Sequence, residues 1–240
     1  MNRILRTGLL AASLLLPARA WAQQSFFNVP SSDITPQRNI LFQQQVDLHA
    51  EEIRGTTTFT YGLGRGWEAG LNLYNVDYLP PERQWLRNDT TTQEPFAPLL
   101  LGNVQKIFEL NETLHLGFGG QAGLNLLPTQ KSRFVGFGYA NLGGSFADEH
   151  YKTVVGVYTG NPRYLGDGPT AGFHTGFDAG IFYQKFHLLG DWSSGMNETG
   201  QLVIGGEVYL TEHLPLAVGW RRSNRDGQQA VVVQLTYTPK

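Results

Sequence analysis

The residues of this chain with types suited to chemistry are Glu68, His115, Gln121, His174, Asp178, His187, Asp191, Glu207 and Arg221. A Ser-based hydrolase needs a nucleophile, an imidazole and an orienting group within hydrogen-bond reach. Ser193 or Ser194 with His174 or His187 could supply the first two. The chain has no Gly-x-Ser-x-Gly elbow and no His followed closely by Ser-Asn. None of its six histidines stands two or four residues from another, so a shared metal site is not expected. With no cysteine, disulfides and thiolate ligands are excluded. No cofactor is implied. What remains for these groups is to line a wet interior, where charges and amides select what passes.

The elements that carry them alternate. Leu114, Leu116, Phe118, Ala122 and Leu124 share one parity, against His115, Gly117, Gly119, Gln121 and Asn125. Phe173, Phe177, Ala179 and Ile181 oppose His174, Gly176, Asp178 and Gly180. Leu202, Ile204, Val208 and Leu210 oppose Gln201, Gly205 and Glu207, and Val218 and Trp220 oppose Gly219 and Arg221. Period two over such lengths means strands with one apolar and one polar face. Twelve strands are expected, near residues 40–50, 55–63, 67–77, 96–109, 114–125, 133–143, 151–160, 171–183, 186–194, 201–210, 214–222 and 229–238. Leu99-Leu100-Leu101 breaks the pattern in the fourth. Gln44 interrupts the apolar parity of the first.

The connections alternate too. Gly64 to Gly66, Asn111 to Thr113, Phe146 to His150, Gln184-Lys185 and Thr211 to His213 are tight. Longer polar links run from Tyr78 to Pro95, Leu126 to Ser132, Asn161 to Thr170, Ser194 to Gly200 and Ser223 to Gln228, and only Glu51 to Arg54 is short among them. Short turns at one end and long loops at the other are the rhythm of a transmembrane β-barrel. Strands of nine or more residues suit a tilted crossing of lipid, and a lipid-spanning sheet must close because lipid offers the backbone no partners. The fold class is therefore all-β, a single antiparallel barrel of about twelve strands with both termini periplasmic. Trp67, Tyr151, Tyr183, Trp192, Trp220 and Tyr237 fall near strand ends, where an interfacial girdle would lie.

Composition agrees. Charged residues are 16% of the 240, below the ~25% of ordinary soluble domains. The net charge of −2 gives no basic footprint, so no nucleic-acid partner is expected. Arg3 and Arg6, an apolar run from Gly8 to Leu16 and Ala20-Trp21-Ala22 form a secretory signal, residues 1–22. Residues 23–39 follow as an extended segment, and residues 40–240 form the barrel. Export to the outer membrane, with lipid, the barrel-assembly machinery and small polar solutes as partners, is the consequent expectation.

Phe27-Asn28-Val29-Pro30-Ser31-Ser32-Asp33-Ile34-Thr35-Pro36 and the later Tyr61-Gly62-Leu63-Gly64-Arg65-Gly66-Trp67-Glu68-Ala69-Gly70-Leu71 resemble a broad group of outer-membrane barrels. That group includes those labelled as components of a MetA pathway of phenol degradation. The resemblance covers about the first third of the mature chain and implies a barrel of transporter or porin type. It transfers no substrate. The chain ends Tyr237-Thr238-Pro239-Lys240, whereas many such barrels end on Phe or Trp.

A narrow pore is the leading functional expectation. An outer-membrane hydrolase and a non-conducting structural or adhesive barrel are the alternatives. The inward glycines Gly70, Gly117, Gly119, Gly123, Gly156, Gly176, Gly180, Gly205 and Gly219 take up almost no lumen volume, which favours an open interior. Pairing Tyr183 with Phe186 across the tight turn sets Asp178 opposite Asp191. Like charges so placed call for relief, and the register of the next strands brings Arg221 within reach. An Asp178–Asp191–Arg221 cluster is expected on that basis.

Overall fold

The computed structural model describes residues 26–31, 33–85, 98–126, 134–147, 149–182 and 185–239. The alternating stretches become β1 (Ile40–Leu48), β2 (Ile53–Gly64), β3 (Trp67–Leu79), β5 (Leu99–Glu109), β6 (Leu114–Asn125), β7 (Phe134–Phe146), β8 (Tyr151–Gly160), β9 (Ala171–Phe182), β10 (Phe186–Ser193), β11 (Gln201–Thr211), β12 (Leu214–Ser223) and β13 (Gln229–Tyr237). These twelve pair antiparallel in chain order, and β13 returns to β1, which closes the sheet. A two-residue strand, β4 (Gln84–Trp85), lies outside the ring, paired only to the end of β3. The helix among the described residues, α1 (Pro162–Leu165), sits in the β8–β9 connection.

Residues of the apolar parity point outward. Phe173 is 65% exposed, and many other Leu, Val and Phe side chains are exposed with it, while His174 next to it is 2% exposed. This reverses the usual arrangement of a water-soluble chain, and it is the arrangement that lipid outside and polar groups inside require. Trp67, Tyr151, Trp192, Trp220 and Tyr237 all face outward. Lys106 lays its amine 5.5 Å from the Trp67 ring centroid, a stem along apolar surface with a polar tip at the strand end. Gln44 faces outward as its parity requires. A bulge between Gly55 and Thr57 accompanies its satisfaction: Gln44 accepts from the Thr57 hydroxyl at 2.7 Å and donates to the Thr56 carbonyl at 3.1 Å.

The start of β1 and the end of β13 lie at the end of the barrel that carries the short turns. The longer connections gather at the other end. The signal segment, residues 23–25, the Tyr183-Gln184 turn and most of the 78–95 loop lie outside the described residues. One register differs from expectation. Phe186 pairs with Phe182, a slip follows between Phe186 and His187, and Asp178 then faces Leu189 while Asp191 faces Gly176. The offset is two residues, so every side chain keeps its facing but the two carboxylates are no longer opposed. The β10–β11 and β11–β12 registers do set Asp191, Val203 and Arg221 in one row.

Candidate functional site

The interior of the barrel holds the chain's own N-terminal segment. Residues 26–31 and 33–39 climb from the short-turn end, beside β2 and β3, to mid-height against β10–β13. Phe26 donates its N–H to the Val29 carbonyl at 3.2 Å, and this turn makes three successive N–H groups converge. Phe27, Asn28 and Val29 all donate to Asp191 Oδ2, at 2.8, 2.6 and 3.1 Å. Such a concave run of N–H groups is an anion seat; here the wall supplies the anion. Further along, Asn141 donates to the Pro30 carbonyl at 2.8 Å and Gln105 to those of Ser31 and Asp33. Lys152 pairs with the Asp33 carboxylate at 3.0 Å, and Glu68 accepts the Thr35 N–H at 2.8 Å. Phe27 packs with Leu189, Val203, Ala217 and Val232, and Phe26 and Val29 pack with Val154.

The inward glycines therefore serve close packing and do not simply enlarge the lumen. A Cβ on Gly176 would overlap the Phe26 ring. One on Gly205 or Gly219 would come within 2.8 or 2.9 Å of Phe27 Cζ. Gly119 makes room for Tyr139, and Gly156 for Asn141 and His174. For Gly119, Gly156, Gly176 and Gly219 the expectation that these positions keep the lumen open is corrected: side chains from the segment and the neighbouring strands occupy the space they leave, while at Gly70, Gly123 and Gly205 the nearest atoms are the backbone of the adjoining strand.

All nine residues singled out in the sequence stand on the inward parity, but they do not form one cluster. Asp191 holds the segment. Asp178 accepts from His187 Nδ1 at 2.6 Å and faces Lys152 across β8. Glu207 faces His187 across β10–β11. Arg221 pairs with Asp47 at 2.5 Å and its charge also reaches Asp191, so what the structure removes from the expected Asp178–Asp191–Arg221 cluster is the direct opposition of Asp178 and Asp191. His174 meets Asn141 Oδ1 at 2.5 Å and faces Ser193. No hydrogen bond among the described residues joins the Ser193 hydroxyl to that ring, and both are buried. His115 faces inward at the short-turn end, opposite Glu109 and Gly143.

Gln121 belongs to the other half of the lumen. It donates to the Tyr164 hydroxyl at 2.6 Å and accepts from Asn72, which accepts from Asn103. Tyr164 reaches there because α1 folds inward from the long-loop end. Its ring lies 4.6 Å from that of Phe137, and Leu165 is fully buried. Between this amide and hydroxyl wall and Asn28 and Pro30 of the segment is a cavity of about 110 Å³. A second, of about 90 Å³, shares Asn28, Tyr164 and Thr199 with the first and continues past Gln45, Asp47, Arg54 and Arg221. Each has room for several waters. At the long-loop end Arg54 links Glu52 and Asp77. Burial, followed by the charges of Arg221 and Arg54, holds His49 in the β1–β2 turn below its ordinary 6.5.

Sequence reasoning missed the segment's role, Gln105, Asn141 and Tyr164. One signal was present: adjacent apolar rings, Phe26-Phe27, in a polar leader to the first strand must be buried somewhere.

No family model matches the chain, and no curated protein matches it in sequence. Its fold is that of solved outer-membrane barrels. It is similar to the KdgM porin in complex with disordered oligogalacturonate at 7% identity and a TM-score of 0.59, over 83% of this chain and 99% of that one. It is similar to the NanC porin at 8% identity and a TM-score of 0.57, over 84% of this chain and 99% of that one. At these identities the shared property is the architecture: a closed antiparallel twelve-strand barrel of the outer-membrane porin type.

Proposed function

We propose that this protein is a narrow outer-membrane channel for small polar solutes, exported through its N-terminal signal and inserted by the barrel-assembly machinery. The observation that carries the reading is a closed barrel, apolar outside, whose polar wall turns amides, hydroxyls and carboxylates onto two neighbouring interior cavities. The hairpin resemblance to the MetA-pathway barrels, like the porin-like fold, supports it. The path runs along β1–β6, beside Gln121, Asn72, Gln105 and Glu68. The cavities along this path are lined by Glu68, Asp47 and Glu198 against Arg54 and Arg221, so the interior favours cations over anions. A polyanion such as the oligogalacturonate named with KdgM is disfavoured by the same charges.

Refolded protein in planar bilayers tests this. The expected result is small single-channel currents with a reversal potential favouring cations, and swelling of loaded liposomes in small neutral sugars. Conductance indistinguishable from bare lipid would refute the channel. Anion preference would refute the assignment of the carboxylate wall.

A further inference from the structure

The barrel is complete without its N-terminal segment. Every strand of the ring pairs with two others of the ring, and among the described residues the segment adds one isolated bridge, Gln37 to Gly62. Yet the wall recognises the segment in detail, and it does so through main-chain atoms. Asp191 takes three N–H groups, Asn141 and Gln105 take three carbonyls, and Glu68 takes a further N–H. Fixed side chains that engage main-chain groups hold a peptide whatever its sequence, and pockets for particular side chains add selection. Two seats add side-chain selection. Gly176 leaves the space that the Phe26 ring fills, and Gly219 leaves space for Phe27.

We propose that the inner wall is a binding site for a short peptide that carries two adjacent aromatic residues at a tight turn, occupied here in cis by residues 26–31 and 33–35. The same peptide chemistry supplied from outside competes for it. In the channel reading, on which this one step rests, the occupied site narrows the lumen and the vacated site opens it.

Gly176 gives a clean control. The heavy atoms nearest a Cβ at this position all belong to Phe26, so Gly176→Val fills the seat and spares the sheet. The probe is a fluorescein-labelled synthetic peptide with the sequence of residues Phe26 to Thr35, and the readout is fluorescence anisotropy on full-length refolded protein. The Phe26→Ala/Phe27→Ala variant, whose own segment is weakened, is expected to bind the probe at least tenfold tighter than the parent. Adding Gly176→Val to it should abolish the gain. Equal binding by all three proteins would overturn the proposal, as would no binding by a double variant whose barrel is still folded by heat-modifiable migration. Phe26→Ala alone replaces the double variant if the latter does not fold. Failure of both to fold would make the segment a structural strut and overturn the proposal equally. None of this requires conduction, so a failed channel reading leaves the binding result intact. In bilayers, the probe should block currents of the double variant. Undiminished current with demonstrated binding would overturn only the step from occupancy to closure.

Discussion

The two halves of the inner wall are built from the same alternation and do different things. On β7–β13 the inward positions combine glycine seats, apolar patches and single ionic groups, and they close around residues 26–31 and Asp33. On β1–β6 Gln105 and Glu68 still hold Ser31, Asp33 and Thr35, but Asn72, Asn103 and Gln121 bond to one another and border a cavity. The difference lies in what an inward residue finds opposite. Where the opposing group is a chain with free N–H and C=O groups, a carboxylate or amide becomes a clasp. Where it is another amide, the pair becomes a lining that water or a solute can share. A parity rule gives both halves the same label, inward and polar.

Phe27→Ala should break the comparison most sharply. Deleting a buried phenyl costs about 3–5 kcal/mol, and nearly all of it should fall on the docking of the segment, because the ring of strands closes without it. Cleavage of the segment by added protease should accelerate by about a hundredfold or more, with little change in the temperature at which the barrel loses its compact migration. A matching collapse of the barrel would show that the clasp half is core.

Asp191→Asn comes next. Hydrogen bonds to a charged group are worth about 1.5–3 kcal/mol, and three share this carboxylate. The segment should become measurably more open to protease, whereas Asp178→Asn, which disturbs the His187 contact, should leave it protected. Equal effects of the two variants would restore the joint cluster that the sequence suggested.

On the other half, Asn72→Leu should leave the segment protected while lowering the passage of polar solutes. It strands the partners Asn103 and Gln121, at about 1–3 kcal/mol for a buried group left without a partner. Liposome swelling and protease protection, read on the same preparation, separate the two effects. A loosened segment would deny the independence of the halves.

The smallest effect expected is at His49. Its folded pKa lies below the ordinary 6.5, so the folded state resists a proton that the unfolded chain accepts. The contribution to stability is complete above the unfolded pKa and is lost as pH falls through the folded one. The melting midpoint should therefore drop on acidification below about 6.5, and His49→Gln should flatten that slope. An unchanged slope would assign it to other groups.

Much of the barrel was legible residue by residue. The β6 and β8 limits, Leu114–Asn125 and Tyr151–Gly160, coincide with the alternation in the sequence, because a residue between lipid and a polar interior has only two environments to choose from. The inward facing of Asp178, Asp191, Glu207 and Arg221 follows for the same reason. The Asp178–Asp191 pairing failed because a bulge at Phe186 moves the register by two without changing any facing, and period two cannot sense such a slip. The glycines misled because a missing side chain reads as empty space until its neighbour is known.

The sequence by itself determined the strands, the closed sheet they must form and the face each residue shows, since these follow from local alternation and the demand that every backbone group find a partner. What fills the lumen was decided only in the tertiary structure. Phe26 and Phe27 precede the periodic part of the chain, and their partners Gly176, Gly205 and Gly219 lie about 150 residues or more further on. Their contact depends on the curvature of a completed wall, a property of twelve strands together that no window along the chain contains.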